Sequence, residues 1–278
     1  MNLLKDSTRV LLPAEFASVD WHDIWERPLE DGTAFQWSIV AALVRNLIEH
    51  GWKHSIPLLD LPDGHKLMTL RNEIPVAHLA QAGHSATSGD DISLENRFLQ
   101  SVIPKFTFTK GGRTFSLFIE GCPYHLIATG QRYEVRPDIL LLPGGLEDIQ
   151  LKGQIVTYKY RYSPDLLLKG ALRVSSSRLL PIVERQPAQD IPLNILGVIE
   201  CSVNKSVRVA TAQIDGYRAV FDLPEDQGTV LVTGNEIKAD FGPMTQVDLV
   251  TTDSAELVSS LSRAGEYIRT HLVEPDAV

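Results

Sequence analysis

Ile195-Leu-Gly-Val-Ile-Glu-Cys-Ser-Val203 is the stretch that decides the fold. It is apolar almost throughout, apart from Glu200 and Ser202, and reads as a central strand buried on both faces by covering helices. A charge in such a strand needs a reason, because a carboxylate removed from water is costly unless paired, hydrogen-bonded or metal-bound. Downstream, the stripe Ala210, Ile214, Tyr217 and Phe221 predicts a helix from about Val207 to Phe221. Val230–Thr233 and Val247–Thr251 read as two further strands. Asp253-Ser-Ala-Glu256 is a capping box that opens a final helix reaching about His271.

Upstream lies Val135-Arg-Pro-Asp-Ile-Leu-Leu-Leu142, a second apolar strand interrupted by a carboxylate and closed by Pro143-Gly144-Gly145. Segments 106–109, 114–119 and 125–128 lead to it as an antiparallel meander, broken at Gly111-Gly112 and Gly121-Cys-Pro123. Residues 155–162 alternate so that Tyr158, Tyr160 and Tyr162 face one way while Lys159 and Arg161 give the other face a basic character. Ser93 can cap a short helix carrying Leu94, Phe98 and Val102 on one side, ended by Pro104. Phe35 to His50 is a core helix bounded by Asp31-Gly32-Thr33 and Gly51. The small, polar run His84–Asp91 marks a boundary, giving an N-terminal part of residues 1–88 and a core of 89–278. This order predicts an α/β (α+β) architecture: a central mixed β-sheet flanked by helices, with an N-terminal helical extension.

Composition bounds the function classes. A chain of 278 residues, 44% of them hydrophobic, can bury a substantial core. No run approaches the roughly 18 uncharged apolar residues of a membrane span, and the N-terminus lacks a signal-peptide pattern, so a cytoplasmic protein with no membrane partner is expected. Cys122 and Cys201 cannot build a disulfide framework and read as buried small apolar residues. The net charge of -9 argues against a protein that coats nucleic acid everywhere, yet it conceals an asymmetry. Residues 97–185 carry 13 basic and 7 acidic side chains, +6, against 7 and 14 in residues 1–96 and 6 and 14 in residues 186–278. A polyanion would sit on that middle stretch, unless its basic residues only keep edge strands soluble.

Asp138 and Glu200 both interrupt hydrophobic strands, and two such carboxylates on neighbouring strands repel each other unless a cation lies between them. Hard cations such as Mg²⁺ favour this all-oxygen environment, where they activate water and stabilise charge on a phosphoryl transition state. The bland alternative for Glu200 is a buried ion pair with Arg136 or Lys205. Gln213 and Tyr217 would then be ordinary helix positions, and the tyrosines of 155–162 a half-buried strand face rather than a base-stacking one. The histidines show no metal-ligand spacing, and no phosphate-loop, dinucleotide or nucleophile-elbow motif is present.

Arg136-Pro-Asp-Ile139, Gly197-Val-Ile-Glu-Cys-Ser202 and Gln213-Ile-Asp-Gly-Tyr217 together resemble the PD-(D/E)xK, or restriction-endonuclease-like, nuclease superfamily over residues 90 to 270. The resemblance implies a restriction-endonuclease-like core in which Asp138 and Glu200 hold Mg²⁺. Glu95 assists from the first core helix, and Gln213 and Tyr217 match a Gln-x-x-x-Tyr motif on the helix after the acidic strand. Pro164-Asp165 competes with Pro137-Asp138 for the motif aspartate, and Glu184 is a weaker alternative to Glu200, since Pro187 and Pro192 follow it. Where the family has its lysine this chain has Ser202, so the lysine's work of orienting water and offsetting charge falls to Lys205, to another basic residue such as Arg136, or to none.

The expectation is therefore a Mg²⁺-dependent endodeoxyribonuclease, a type II restriction enzyme or related bacterial DNA-defence nuclease. Its partner would be double-stranded DNA, contacted through Arg136, Lys159, Arg161, Arg173, Gln213 and Tyr217. A homodimer is the natural way to cut both strands of a palindrome. The alternative is a catalytically inactive nuclease-fold subunit that binds DNA or assembles with a partner. The sequence leaves open DNA against RNA, the recognition site and the role of residues 1–88.

Overall fold

The computed structural model of the chain describes residues 2–13, 31–60, 66–68, 103–120, 137–152, 155–163, 166–173, 183–184, 194–203, 207–225, 227–234 and 242–275. Its elements run α1 (Asn2–Leu11), α2 (Asp31–Glu49), β1 (Lys53–Ser55), β2 (Leu58–Asp60), β3 (Lys66–Met68), β4 (Phe106–Lys110), β5 (Arg113–Ile119), β6 (Ile139–Pro143) and β7 (Gly145–Lys152). There follow β8 (Ile155–Ser163), β9 (Leu166–Arg173), β10 (Val183–Glu184), β11 (Gly197–Ser202), α3 (Val207–Phe221), β12 (Thr229–Thr233), β13 (Met244–Gln246) and α4 (Ser254–Ile268), which continues as a π turn, Arg269–Val273. The fold is mixed α/β, with parallel and antiparallel strands in a large sheet and helices packed on it. Among the described residues no helix is long and apolar enough to cross a membrane.

The chain divides into two compact units. Unit 1 comprises residues 1–52, 137–139 and 195–278. In it β11, β12 and β13 are parallel neighbours, with Glu200 level with Leu231 and Ser202 level with Thr233. Every residue of β11 is buried, as its sequence requires. Strand alternation sends Gly197, Ile199 and Cys201 one way and Val198, Glu200 and Ser202 the other. The first side meets the π turn: a Cβ at Gly197 would stand 2.7 Å from a Leu272 methyl, so any larger residue would require Leu272 to shift. The second side meets α3, whose Ala210 and Ile214 pack on Leu231 and Met244. α4 closes on α2 at Gly265, where a Cβ would lie 2.6 Å from the Ala42 carbonyl.

Unit 2 comprises residues 53–136 and 140–194. There β1, β4, β5 and β6 are successive neighbours, and β10, β9, β8, β7, β2 and β3 form a six-stranded sheet. Phe108 stacks on Phe115 across the β4–β5 pair, centroids 5.1 Å apart. In β8, Tyr158 and Tyr160 are buried while Lys159 is exposed, the alternation expected of that segment.

Some expectations shift. The core helix starts at Asp31 rather than Phe35, and α1 is an element that the hydrophobic spacing did not suggest. Residues 247–251 are not a strand: β13 occupies 244–246 instead. The cause is local, since Asp248 turns its carboxylate to the Val250 amide and its own amide to Ser260 Oγ. That leads the chain into the α4 cap rather than along the sheet. Asp253 is the N-cap, its Oδ1 accepting from the Ala255 amide at 2.7 Å, but the box is not closed: the Asp253 amide donates to Thr251 Oγ1, which in turn donates to the Glu256 carboxylate. The Ser93 helix, the 125–128 strand and the boundary at 88/89 lie outside the described residues.

Candidate functional site

Glu200 is the one charged residue of β11, and it is 1% exposed. Its face of the strand looks at α3, where Gln213 and Tyr217 are one turn apart on the same stripe. The Tyr217 hydroxyl donates to Glu200 Oε2 at 3.2 Å, and the Gln213 side chain hydrogen-bonds Tyr217 in turn. Burial, then the charges of Glu200 and Asp138, and then the bond to Glu200 push the Tyr217 phenol well above its ordinary pKa, with Gln213 opposing. Tyr217 is therefore a firmly protonated donor.

Asp138 stands immediately before β6, after the φ-locked Pro137, and is half-buried. Its Oδ2 accepts a 2.7 Å hydrogen bond from the backbone amide of Cys201, the residue after Glu200. Its own carbonyl accepts from Gln36 Nε2 of α2, also at 2.7 Å. The Cys201 amide thus holds the carboxylate against β11, and Gln36 holds the main chain of the same residue. Because its charge is felt at the Tyr217 phenol, the two carboxylates share one locality.

Asp138, Glu200, Gln213 and Tyr217 come together within unit 1. Ser202 follows on the Glu200 face and is buried, 3% exposed. Lys205, Glu95 and Arg136 lie outside the described residues, as does Asp165, the competing aspartate. The other candidates belong to unit 2. Lys159 sits opposite Asp148, with Nζ 3.4 Å from its carboxylate, and Arg161 bonds Glu147, so acids on β7 offset the basic face of β8. Arg173 ends β9, level with Ile155. Glu184, the alternative acid, pairs with Ala171 on the two-residue strand β10.

Gln36 and the Cys201 amide were not legible as parts of this arrangement. Gln36 had a signal, being a polar residue 3% exposed within an otherwise apolar helix run. The amide had none, since every residue but proline carries one.

The two carboxylates offer hard oxygen, and the Gln213 side chain reaches them through Tyr217. Gln213 Oε1 is buried and has no hydrogen-bond partner among the described residues. That chemistry suits Mg²⁺ or Mn²⁺ and not a soft metal. Among the described residues no cluster of three or more His, Cys, Asp or Glu occurs. Comparison with family models, curated proteins and solved structures returns no match for the chain.

Proposed function

We propose that the protein is a Mg²⁺-dependent endonuclease of the PD-(D/E)xK kind, hydrolysing phosphodiesters of double-stranded DNA, with Asp138 and Glu200 as the carboxylates that hold the ion. The observation that carries this reading is the convergence of both acids on the Tyr217 hydroxyl at the end of a fully buried strand. A divalent ion between two carboxylates of one locality would favour the ionised form of both. Gln213 and Tyr217 stand at the family's Gln-x-x-x-Tyr spacing and contact the site, which supports the resemblance beyond the carboxylates.

When bound, a divalent cation offsets charge on the phosphate and makes water a competent nucleophile at neutral pH. The rest is work for the chain. Tyr217 fixes the rotamer of Glu200 from below. The Cys201 amide and Gln36 fix the main chain and carboxylate of Asp138, so neither acid must reorganise when substrate arrives. Lys205 would take the part of the displaced motif lysine. A two-fold dimer would present two such sites to the two strands.

A buried serine in place of the lysine favours a second reading, a nuclease-fold subunit that binds DNA without cutting it. Pure protein incubated with plasmid or phage DNA and Mg²⁺ separates the two. Cleavage that disappears in Asp138→Ala is expected; no cleavage across a wide range of protein and metal, or equal cleavage by the variant, removes the nuclease reading.

A further inference from the structure

The side of β11 and β12 that faces α3 carries two hydroxyls beside the carboxylates. Leu231 packs on Ala210 and Ile214 of α3, so Thr233, two residues further along β12, projects to the same side. Its parallel partner is Ser202, which is itself two residues beyond Glu200. Thr233 is 1% exposed, and its Oγ1 is buried with no hydrogen-bond partner among the described residues. A hydroxyl can donate once and accept twice, and leaving one unsatisfied in a protein interior is costly.

The position gives this orphan its meaning. Gln213 Oε1, the other buried oxygen without such a partner in this layer, belongs to the residue that bonds Tyr217 and through it reaches Glu200. Ser202 and Thr233 stand at the carboxyl ends of their two parallel strands. Buried polar groups left without protein partners are characteristically satisfied by an ordered water with two to four such neighbours. Neither hydroxyl can carry a lysine's charge. Both can hold water by hydrogen bonds at the level of the missing lysine.

We infer that Ser202 and Thr233 together hold the attacking water beside the Glu200 carboxylate, Thr233 acting as a positioning residue. This rests on the hydrolytic reading above. It assigns the serine at the lysine position a task, shared with a residue on the next strand that no motif marks.

The test uses the full chain as wild type, Thr233→Val, which keeps shape but removes the hydroxyl, and Thr233→Ser, which keeps it. A high-resolution crystal structure of the wild type should show a water within about 3.2 Å of Thr233 Oγ1, absent from Thr233→Val. With Mg²⁺ and plasmid DNA, Thr233→Val should lose roughly ten-fold or more in kcat with KM nearly unchanged, and Thr233→Ser should recover most of it. A wild-type structure with no water there, or undiminished kcat in Thr233→Val, overturns the inference while leaving the nuclease reading standing. Water at Thr233 in a wild-type protein that cuts no DNA shows the reverse: the hydrolytic reading fails, and the catalytic role of that water with it.

Discussion

The Tyr217 hydroxyl and the Glu200 carboxylate are joined by a 3.2 Å hydrogen bond across the interface between α3 and β11. It links the fully buried strand β11 to the helix that follows it, and so couples packing to the site. The phenol's raised pKa follows from burial and from the two acids beside it, and it keeps the bond intact through the neutral and alkaline range.

Tyr217→Phe should keep the fold and strand an acceptor on a buried carboxylate. Bonds to charged groups are worth about 1.5–3 kcal/mol, and a loss of about that size is expected in urea unfolding at pH 7. Stability within about 0.5 kcal/mol of wild type would mean that the bond contributes little.

Stability should respond to pH in two opposed ways. Lys105, 2% exposed, is pushed down from 10.5 to about 7 by burial, against the raising effect of Glu120. Between those values the unfolded chain binds the proton that the folded chain lacks, so stability rises with pH from about 7 towards 10.5, by up to about 1.4 kcal/mol per unit. Above about 10 the sign reverses at Tyr217, because the unfolded phenol ionises while the folded one does not. Chemical unfolding from pH 6 to 11 checks both: Lys105→Met should flatten the rise, and Tyr217→Phe should reduce the alkaline fall. A Lys105→Met curve parallel to wild type would refute the first.

Arg269 and Glu274 form a nearly buried ion pair at 2.5 Å, side chains 7% and 13% exposed. Arg269 Nε also donates to Asn46 Oδ1 at 2.7 Å, and Trp52 Nε1 donates to Glu274 at 3.1 Å. Removing one partner of a buried pair leaves the other uncompensated, so Arg269→Ala should cost about 3–5 kcal/mol. Unfolding followed by tryptophan fluorescence measures it, and a cost under 1 kcal/mol would show that the pair is not structural.

How far the sequence carried these conclusions depends on the kind of bond concerned. β11 was legible as an almost continuous apolar run and α3 by its apolar stripe, and Asp253 because caps combine a residue type with a position. The alternating run 247–251 misled because Asp248 bonds locally to Val250, and that competes with the sheet; Val250 consequently ends 86% exposed. Asp138 and Glu200 announced themselves as charges in apolar strands. What holds Asp138 did not, since one partner is a backbone amide and the other, Gln36, is a hundred residues away in the chain. The basic face of 155–162 was legible along its own strand, but the neutralising Asp148 and Glu147 belong to the strand beside it.

The claim that Asp138 and Glu200 together hold a divalent cation is tested most directly by titrating Mn²⁺ into wild type, Asp138→Asn and Glu200→Gln, reading free Mn²⁺ by electron paramagnetic resonance. Asp138→Asn keeps an oxygen for the Cys201 amide while removing the charge, so a loss of binding is not a loss of fold. A saturable site in wild type, weakened by more than about ten-fold in each variant, is expected, since even outer-shell changes at metal sites have effects of that order. No saturable site in wild type, or equal binding in all three proteins, would contradict it.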